Sequence, residues 1–313
     1  SRLCRPFSSP SNSTSVSRGG LIGPVNTIRV RARSSSPLWT VFSTTVVGSY
    51  PVVKGGGLRS LFDPLRPSVE TAVGDQLAAG IDIISDGQVR GDMIGAFASH
   101  LPGIREQEVI GKIQPAAGPI TVSDTKYAIS QAPKVKGIIT GPTTLAHGLH
   151  IATPMYRNKE ELVPDIAAAL LMEARAIEAA GVALIQIDEP ILSTGIADLA
   201  VAKQAVEMIT AGLHTPVCMH VCGNLGNVLD EILKFNVNVL DFEFANNPAN
   251  LDLLSRRDLA GKMLGYGCVD STTDRIESTA EIRKRIEKGV EIFDPKIMLI
   301  DPDCGLRMRT REA

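Results

Sequence analysis

Two residues that bind soft metal ions stand close together in the second half of this sequence. His220 and Cys222 lie in the apolar segment PVCMHVCGN, and residues at this spacing in a β-strand point to the same face, so both can reach one ion. Taken alone, the pair could be ordinary core, because cysteine is among the most frequently buried residues. Glu243 and Cys304, however, lie near the ends of two later apolar segments, and an imidazole, two thiolates and a carboxylate suit tetrahedral zinc. The sequence therefore predicts Zn²⁺ bound by these four residues.

Ligands this far apart in the chain need a fold that brings strand ends together. Eight apolar, β-branched segments of strand length are spread along the chain, at residues 43–51, 81–89, 134–142, 183–191, 216–224, 238–246, 262–270 and 296–305. Amphipathic helical stretches separate most of them, and one of these ends at Gly181. The polar residues 104–133 are interpreted as an excursion, containing a hairpin, between the second and third strands. The pattern predicts an α/β fold, a (β/α)8 TIM barrel over residues 43–313 that lacks its last helix because few residues follow the eighth strand.

Polar or reactive side chains end nearly every predicted strand. In such barrels the chemistry lies at the C-terminal ends of the strands, where the βα loops converge. The residues at these ends are Ser49, Asp86, Gln88, Asp188, Glu189, His220, Cys222, Glu243, Asp270, Asp303 and Cys304. Core strands have little reason to end in such groups unless they face a shared polar pocket. We therefore expect one substrate pocket at this end of the barrel.

The composition excludes several classes of partner. With 32 Lys and Arg against 34 Asp and Glu, the net charge is −2, so no overall field favours nucleic acid or an anionic membrane surface. No apolar run reaches the roughly 18 residues of a membrane helix. Five cysteines at irregular spacing do not resemble a secreted disulfide framework and are predicted to be reduced. A small neutral or zwitterionic substrate fits this balance.

Residues 1–42 differ from the rest of the chain. They are rich in Ser and Arg, and no acidic residue occurs before Asp63. A segment of this composition cannot bury a core, so it is predicted to be disordered, and it is typical of an organellar transit peptide. A plastid or mitochondrial location follows if the segment is such a peptide. A cytoplasmic location follows if it is a plain disordered tail.

Seven motifs occur in the order, and at similar spacing, in which a known family carries them. They are VVGSYP, DGQVRGDM, GPTTLAHG, IQIDEP, HVCGN, DFEFA and DPDCG, between about Thr44 and Arg309. With these motifs the chain resembles the catalytic barrel of cobalamin-independent methionine synthases, in the short form found in archaea and some bacteria. The resemblance places that family's zinc ligands on the same four residues as above.

The resemblance also implies a substrate, homocysteine, and the residues that bind it. Gly48 and Ser49 would hold its carboxylate. Asp188 would bind its ammonium group, and Glu189 would assist or orient. A free thiol has a pKa of about 8.5 and is mostly protonated at neutral pH, and coordination to zinc removes that proton. We expect the homocysteine sulfur to displace the Glu243 carboxylate from zinc and to attack an activated methyl group, which makes Asp188 and Glu243 the predicted catalytic residues.

Three positions depart from the longer enzymes of the family. Gln88 replaces an acidic residue, Gly148 replaces a tryptophan near the folate ring, and Thr272 replaces a histidine proton donor. Gln88 is therefore expected to bind the substrate ammonium group more weakly, or to share it differently with other residues. The aromatic platform for a folate ring is expected to be incomplete. We expect the methyl donor to be a methylcobalamin-bearing corrinoid protein, which needs neither a folate pocket nor a general acid for an amine leaving group.

Two other functions remain open on the sequence. A zinc-dependent alkyltransferase or lyase could act on another small thiol, but the amino-acid pocket of Ser49 and Asp188 would then have no purpose. A non-catalytic barrel with structural zinc is the second, although a chain of this size has core enough without a metal. Methyl transfer to a panel of thiols separates the first alternative. Retention of four protein ligands after addition of a thiol would identify the second.

Overall fold

Helices and strands alternate along the computed structural model, which describes residues 42–53 and 62–313. The elements of these residues, in chain order, are β1 (Ser43–Thr44), α1 (Arg66–Ala78), α2 (Gly95–Ala98), β2 (Ile104–Arg105), β3 (Glu108–Val109), α3 (Val122–Gln131), β4 (Lys136–Thr140), α4 (Pro142–Gly148), β5 (His150–Ile151), α5 (Lys159–Ala180), β6 (Leu184–Asp188), α6 (Leu199–Thr210), β7 (Val217–Val221), α7 (Leu229–Ile232), β8 (Val239–Glu243), α8 (Ala249–Leu254), β9 (Met263–Val269), α9 (Thr279–Val290) and β10 (Met298–Pro302). Short 3-10 helices cover Pro190–Thr194 and Pro295–Ile297.

A parallel sheet in the order β1-β10-β9-β8-β7-β6-β4 forms the centre of the fold. Its two edges are joined through the segment between β1 and β4, since Thr45 pairs with Ile83 and Ile84 pairs with Val135, both in parallel. Eight parallel segments therefore close into a ring. The predicted TIM barrel is confirmed.

The second predicted strand, residues 81–89, differs from the prediction because it contributes only these two bridges. Side-chain hydrogen bonds replace the backbone ladder beyond them. The Ser85 hydroxyl donates to the carbonyl oxygen of Gly48 at 2.9 Å. Gly87 and Gln88 follow with φ angles of 86° and 45°, which turn the chain out of the strand direction.

The polar excursion at residues 104–133 contains the predicted hairpin and one unpredicted helix. Strands β2 and β3 pair antiparallel, and β3 also pairs in parallel with β5 in a small second sheet. The remainder of the excursion includes α3, which its polar sequence does not indicate. The Glu173 carboxylate of α5 accepts hydrogen bonds from the backbone N–H groups of Ile120 and Thr121, at 2.7 and 2.8 Å. A contact from a distant helix therefore fixes the start of α3.

Helix α5 is the longest helix in the described residues and supports the wall of the barrel beside β4 and β6. It begins after Asn158, whose side chain accepts a hydrogen bond from the Glu161 N–H at 3.0 Å. It ends at Gly181, which has a φ of 95°, so the predicted end at this glycine is confirmed. Its buried face, which includes Ile166 and Leu170, belongs to the main apolar core.

Inside the barrel, an apolar cluster lies beneath buried polar groups. The apolar cluster consists of Ile83, Leu184, Cys218, Val239 and Leu299. The strand register places Cys218 beside Val239 and, two residues further on, His220 beside Asp241. The buried polar groups include Lys136, Gln186, His220, Asp241 and Asp301. Cys218 and Cys268 are both buried in apolar clusters.

The ends of the chain add little to the description of the barrel. Residues 1–42, the predicted targeting segment, lie outside the described residues except for Phe42, which packs against the main core. Residues 303–313 form turns and contain no helix. Across residues 42–53 and 62–313, none of the helices combines the length and the apolar character needed to cross a bilayer.

Candidate functional site

Three of the four predicted metal ligands meet at the C-terminal end of the barrel. One ligand atom each from His220, Cys222 and Cys304 lies within 4.8 Å of the other two. His220 belongs to β7 and Cys222 follows it, whereas Cys304 follows β10, which β8 and β9 separate from β7 in the sheet. Closure of the barrel therefore brings the two thiols together.

A carboxylate orients the imidazole of His220. Nδ1 of His220 lies 2.9 Å from Oδ2 of Asp241, and both side chains are almost fully buried. Nε2 has no hydrogen-bond partner among the described residues. The carboxylate favours the tautomer protonated on Nδ1, which leaves the Nε2 lone pair available to a metal. Gly265 makes room for this pair, because a Cβ there would lie 2.6 Å from that of Asp241.

The two thiols of the cluster shift each other's pKa in opposite directions. The contact with the Cys222 thiol, helped by His220, lowers the pKa of Cys304 well below its usual range despite burial. The same contact, together with burial, raises the pKa of Cys222. A divalent cation is expected to bind both cysteines in their deprotonated form, because cysteine binds metals as the thiolate. An unpartnered imidazole nitrogen and two sulfur atoms form a donor set that fits zinc.

Removal of the Asp241 carboxylate is expected to weaken metal binding. The Asp241→Ala variant should bind Zn²⁺ about 10- to 100-fold more weakly, because His220 loses the partner that fixes its tautomer and ring orientation. Asp241→Asn keeps an oxygen acceptor and should lose less. Competition with a chromogenic chelator measures both affinities. An unchanged affinity in Asp241→Ala would show that the carboxylate does not orient the ligand.

Glu243, the fourth predicted ligand, lies outside the cluster of three. Its carboxylate accepts a hydrogen bond from the side-chain amide of Asn247, and burial raises its pKa. Glu243 is the last residue of β8, which pairs with β7, the strand that carries His220. The competing amide lies in the loop after β8, where strand periodicity gives no guidance. Coordination of the metal by Glu243 stays a prediction.

The loop that carries Cys304 is fixed by the residue before it. Oδ1 of Asp303 accepts hydrogen bonds from the backbone N–H groups of Phe244 and Ala245, at 3.0 and 2.9 Å. These bonds join the chain after β10 to the chain after β8. Gly267 of β9, between them, leaves the necessary space, because a Cβ there would lie 2.7 Å from Oδ1 of Asp303. In the segment DPDCG, Asp303 therefore fixes the position of the Cys304 thiol that follows it.

Asp188 ends a buried chain of polar groups. Nζ of Lys136 donates to Oε1 of Gln186 at 2.5 Å, and Nε2 of Gln186 donates to Oδ1 of Asp188 at 2.7 Å. The same nitrogen also donates to the carbonyl oxygen of Val47 at 2.7 Å. Burial raises the pKa of Asp188 to about 6. At neutral pH this carboxyl is therefore mainly ionised and can pair with a cation.

A cavity of about 210 Å³ connects the cluster of His220, Cys222 and Cys304 with the predicted substrate residues. The predicted residues on its wall are Ser49, Gln88, Asp188, His220, Cys222 and Cys304. The cavity therefore offers sulfur and nitrogen ligands at one place and a buried carboxylate at another. This combination suits a small molecule that carries both a thiol and a cationic group.

Gly48 lies behind the cavity wall. Its carbonyl oxygen is already the acceptor for the Ser85 hydroxyl, and its φ is 150°. A Cβ at this position would lie 2.1 Å from the side chain of Ile138. The structure thus gives Gly48 a packing role that only glycine can fill. Its predicted contact with the substrate carboxylate stays a prediction.

Glu189 is turned away from the cavity and holds a neighbouring helix. Its carboxylate accepts hydrogen bonds from the backbone N–H groups of Thr143 and Thr144 at 2.9 and 2.8 Å, and from the Thr144 hydroxyl at 2.6 Å. These donors lie in the first turn of α4, so Glu189 caps that helix. Any effect of Glu189 on the substrate passes through the position of α4, because its own oxygen atoms are already bonded.

Sequence reasoning misses four residues of this site, namely Lys136, Gln186, Asp241 and Arg307. Gln186 and Asp241 each stand two residues before a predicted site residue in the same strand. Strand parity therefore points them to the same inward face and could have identified them. Lys136 is a cation within an apolar strand. Because a buried charge needs a polar partner, it could also have been identified. Arg307 lines the cavity but follows the last strand, where no periodicity guides a prediction.

Comparisons with known sequences agree on one description. The family model described as "Cobalamin-independent synthase, Catalytic domain" matches residues 42–313. The chain is 45% identical over 294 residues to a protein named methionine synthase from Methanothermobacter thermautotrophicus, a match that covers 86% of this chain and 95% of that protein. It is 44% identical over 289 residues to a protein of the same name from Methanocaldococcus jannaschii, covering 85% and 92% of the two chains.

A solved structure shares the architecture. The B12-independent methionine synthase of a Shewanella species, in complex with selenomethionine, matches with a TM-score of 0.76 and 23% sequence identity. The match covers 87% of this chain and 93% of that chain. At this identity the similarity shows the fold, and it agrees with the closed barrel described above.

Proposed function

The chain belongs to the cobalamin-independent methionine synthase family, and from this premise we propose that it is a methyltransferase that methylates the thiol of homocysteine to give methionine. The observation that carries the proposal is one cavity in which the cluster of His220, Cys222 and Cys304 lies beside Asp188. The cluster alone would suit any small thiol. A buried carboxylate in the same cavity suits a thiol that also carries an ammonium group.

We propose that the metal is Zn²⁺, held by His220, Cys222 and Cys304, with Glu243 as the fourth ligand. The support is the donor set and the unpartnered Nε2 of His220. When bound, zinc would lower the pKa of the substrate thiol, so that the sulfur binds as a thiolate and stays nucleophilic. The Asp241 carboxylate keeps the proton of His220 on Nδ1 throughout.

The proposed substrate-binding groups orient homocysteine within the cavity. Asp188 pairs with the ammonium group and is itself held by Gln186. Ser49 and Gln88 line the same cavity and contact the amino-acid end of the substrate. With that end fixed, the thiol is directed to the metal cluster, which lowers the entropy that the reaction must lose. Asp188 and Glu243 are retained as the proposed catalytic residues.

Two positions of the structure, Gly148 and Thr272, bear on the identity of the methyl donor. Gly148 has no side chain that could form the aromatic platform of a folate site, and a Cβ there would lie 2.4 Å from the side chain of Ile94. The hydroxyl of Thr272 is bonded to Asp270 at 2.6 Å and does not replace a histidine proton donor. These features favour a corrinoid protein that carries methylcobalamin. The description of the family as cobalamin-independent favours a folate, which is the alternative donor.

The test of the proposed function is methyl transfer to homocysteine by the purified, zinc-loaded protein. Methylcobalamin and methyltetrahydrofolate are supplied in separate reactions, and methionine is measured by mass spectrometry. We expect methionine from one of the two donors and little methylation of thiols without amino-acid groups. Absence of methionine with both donors, or equal rates with simple thiols, would contradict the proposal.

Glu243→Gln separates a catalytic metal from a structural one. The variant should retain most of its zinc, because three strong ligands suffice for a catalytic site. Its turnover should fall by about 10- to 100-fold, the effect typical of altered groups around a metal. Metal content is measured by atomic absorption and turnover by methionine formation.

The wild-type protein supplies the matching measurement. X-ray absorption should show one more sulfur neighbour of zinc after homocysteine is added. Complete loss of metal from Glu243→Gln, combined with an unchanged wild-type spectrum, would identify zinc as structural and end the methyl-transfer proposal.

The cellular location also belongs to the proposal. We retain residues 1–42 as a targeting segment for a plastid or mitochondrion because of their basic, hydroxyl-rich composition. A cytoplasmic location is the alternative.

A further inference from the structure

We infer that Arg307 binds the carboxylate of the amino-acid thiol, an inference that rests on the proposed function and names a residue that selects its substrate. Arg307 lines the cavity that holds Asp188 and the metal cluster. Among the described residues on that wall, it is the only lysine or arginine. Its one described hydrogen bond runs from Nη1 to the backbone carbonyl oxygen of Gln88 at 2.9 Å. The half-buried guanidinium therefore has no carboxylate partner within the described part of the chain.

Without Arg307, the described cavity wall would carry carboxylates but no lysine or arginine. The described acidic groups on the wall are Asp92 and Asp188. Asp92 already accepts hydrogen bonds from the backbone N–H groups of Ile94 and Gly95. An amino acid in this cavity can pair its ammonium group with Asp188. Its carboxylate would be repelled unless a cation is present, and Arg307 supplies that cation.

The position of Arg307 is fixed by the chain that precedes it. The backbone N–H of Leu306 donates to the carbonyl oxygen of Ser49 at 2.8 Å. Gly305 lies so close to Ser49 that a Cβ would be 2.0 Å from its hydroxyl oxygen. These contacts, with the bond to Gln88, place Arg307 near the cavity wall formed by Ser49. The family resemblance implies that the same serine contacts the carboxylate.

The chemistry of the guanidinium suits this role. Arginine carries five N–H donors in a planar fork that matches a carboxylate with two parallel hydrogen bonds. The bond to Gln88 uses only part of this set. A side chain already held in place loses less conformational entropy when the ligand binds. Partial burial strengthens the ion pair compared with one at an open surface.

Calorimetric binding of three thiols, without methyl donor, tests the inference on the zinc-loaded protein. The thiols are homocysteine, its methyl ester and 3-aminopropane-1-thiol, which lacks the carboxylate. Arg307→Met should weaken homocysteine binding by roughly 10- to 100-fold, the effect of one charge-assisted pair. Binding of the two thiols without a free carboxylate should stay nearly unchanged. Arg307→Lys keeps the charge without the fork and should fall between wild type and Arg307→Met.

Arg309→Met is the matched control. It removes the same charge two residues further on, where the side chain faces Asp274 at 3.4 Å and does not line the cavity. Its homocysteine affinity should equal that of the wild type. Zinc content and melting temperature show that each variant is folded, and Arg307→Lys supplies the comparison if Arg307→Met is not.

The outcomes separate this inference from the proposed function. Equal losses for all three thiols would show that Arg307 acts only through Gln88 and would overturn the inference alone. Unchanged homocysteine affinity with a raised KM for the methyl donor would assign the cation to the donor and also overturn it. Wild-type protein that binds none of the three thiols would overturn the proposed function and this inference with it.

Discussion

The Cys304→Ser variant is expected to lose zinc and methyl transfer together. A serine hydroxyl is a far poorer zinc ligand than a thiolate, so the cluster keeps only His220 and one sulfur. Loss of a residue that only hydrogen-bonds to a metal ligand already lowers metal affinity by about 10- to 100-fold. Loss of the ligand itself should lower it by more than about 100-fold. Atomic absorption after dialysis measures the metal, and methionine formation measures the activity. Cys222→Ser should behave in the same way.

Cys268→Ser is the matched control for this result. Cys268 is buried in the main apolar core and lies outside the metal cluster. Its replacement should lower stability, because a hydroxyl enters an apolar environment, while the zinc content of the folded protein stays at the wild-type level. Full zinc occupancy and full turnover in Cys304→Ser would disprove the assigned cluster.

Asp188→Asn should retain zinc and lose homocysteine affinity. The carboxylate at the end of the Lys136–Gln186 chain is the proposed partner of the substrate ammonium group. Truncating one partner of a buried charge pair costs about 2–5 kcal/mol, which corresponds to roughly 30- to 5,000-fold in affinity. Calorimetric titration with homocysteine measures the loss. Zinc content, measured on the same sample, separates it from an effect on the metal.

Asp92→Asn controls for the loss of a negative charge at the cavity. Asp92 lines the same wall, but its carboxylate is bonded to the first turn of α2. Its replacement should change homocysteine affinity much less than Asp188→Asn does. Equal losses in both variants would show that general electrostatics, and not a contact with Asp188, determines substrate binding.

Strand periodicity and residue chemistry predict much of this site. Alternation of apolar segments with amphipathic ones indicates the barrel, and parity within β7 places His220 and Cys222 on one face. The barrel then implies that Cys304, more than eighty residues away, reaches the same place. Such inferences succeed because they depend on backbone geometry, which is common to all members of a fold class.

The features that sequence reasoning misses depend on competition between neighbours. Glu189 follows Asp188 at a strand end, yet its oxygen atoms bind the start of α4. The Glu243 carboxylate is bonded to Asn247, and α3 is held by Glu173 of α5. In each case the polar group has several possible partners, and the partner that it binds depends on which donors folding brings close to it.

The extent of strand pairing differs around the barrel, so one side of the cavity is expected to open more easily than the other. Strands β7, β8 and β9 pair over runs of consecutive residues, whereas the segment between β1 and β4 contributes two isolated bridges. Local opening should therefore require less free energy at that segment than at β7–β9. His220 and Cys222 lie on the side that opens last, while Ser49 and Gln88 follow the side that yields first. Displacement of this wall by an entering molecule should therefore leave His220 and Cys222 in place, whereas Cys304 follows β10, which pairs with β1 beside Ser49.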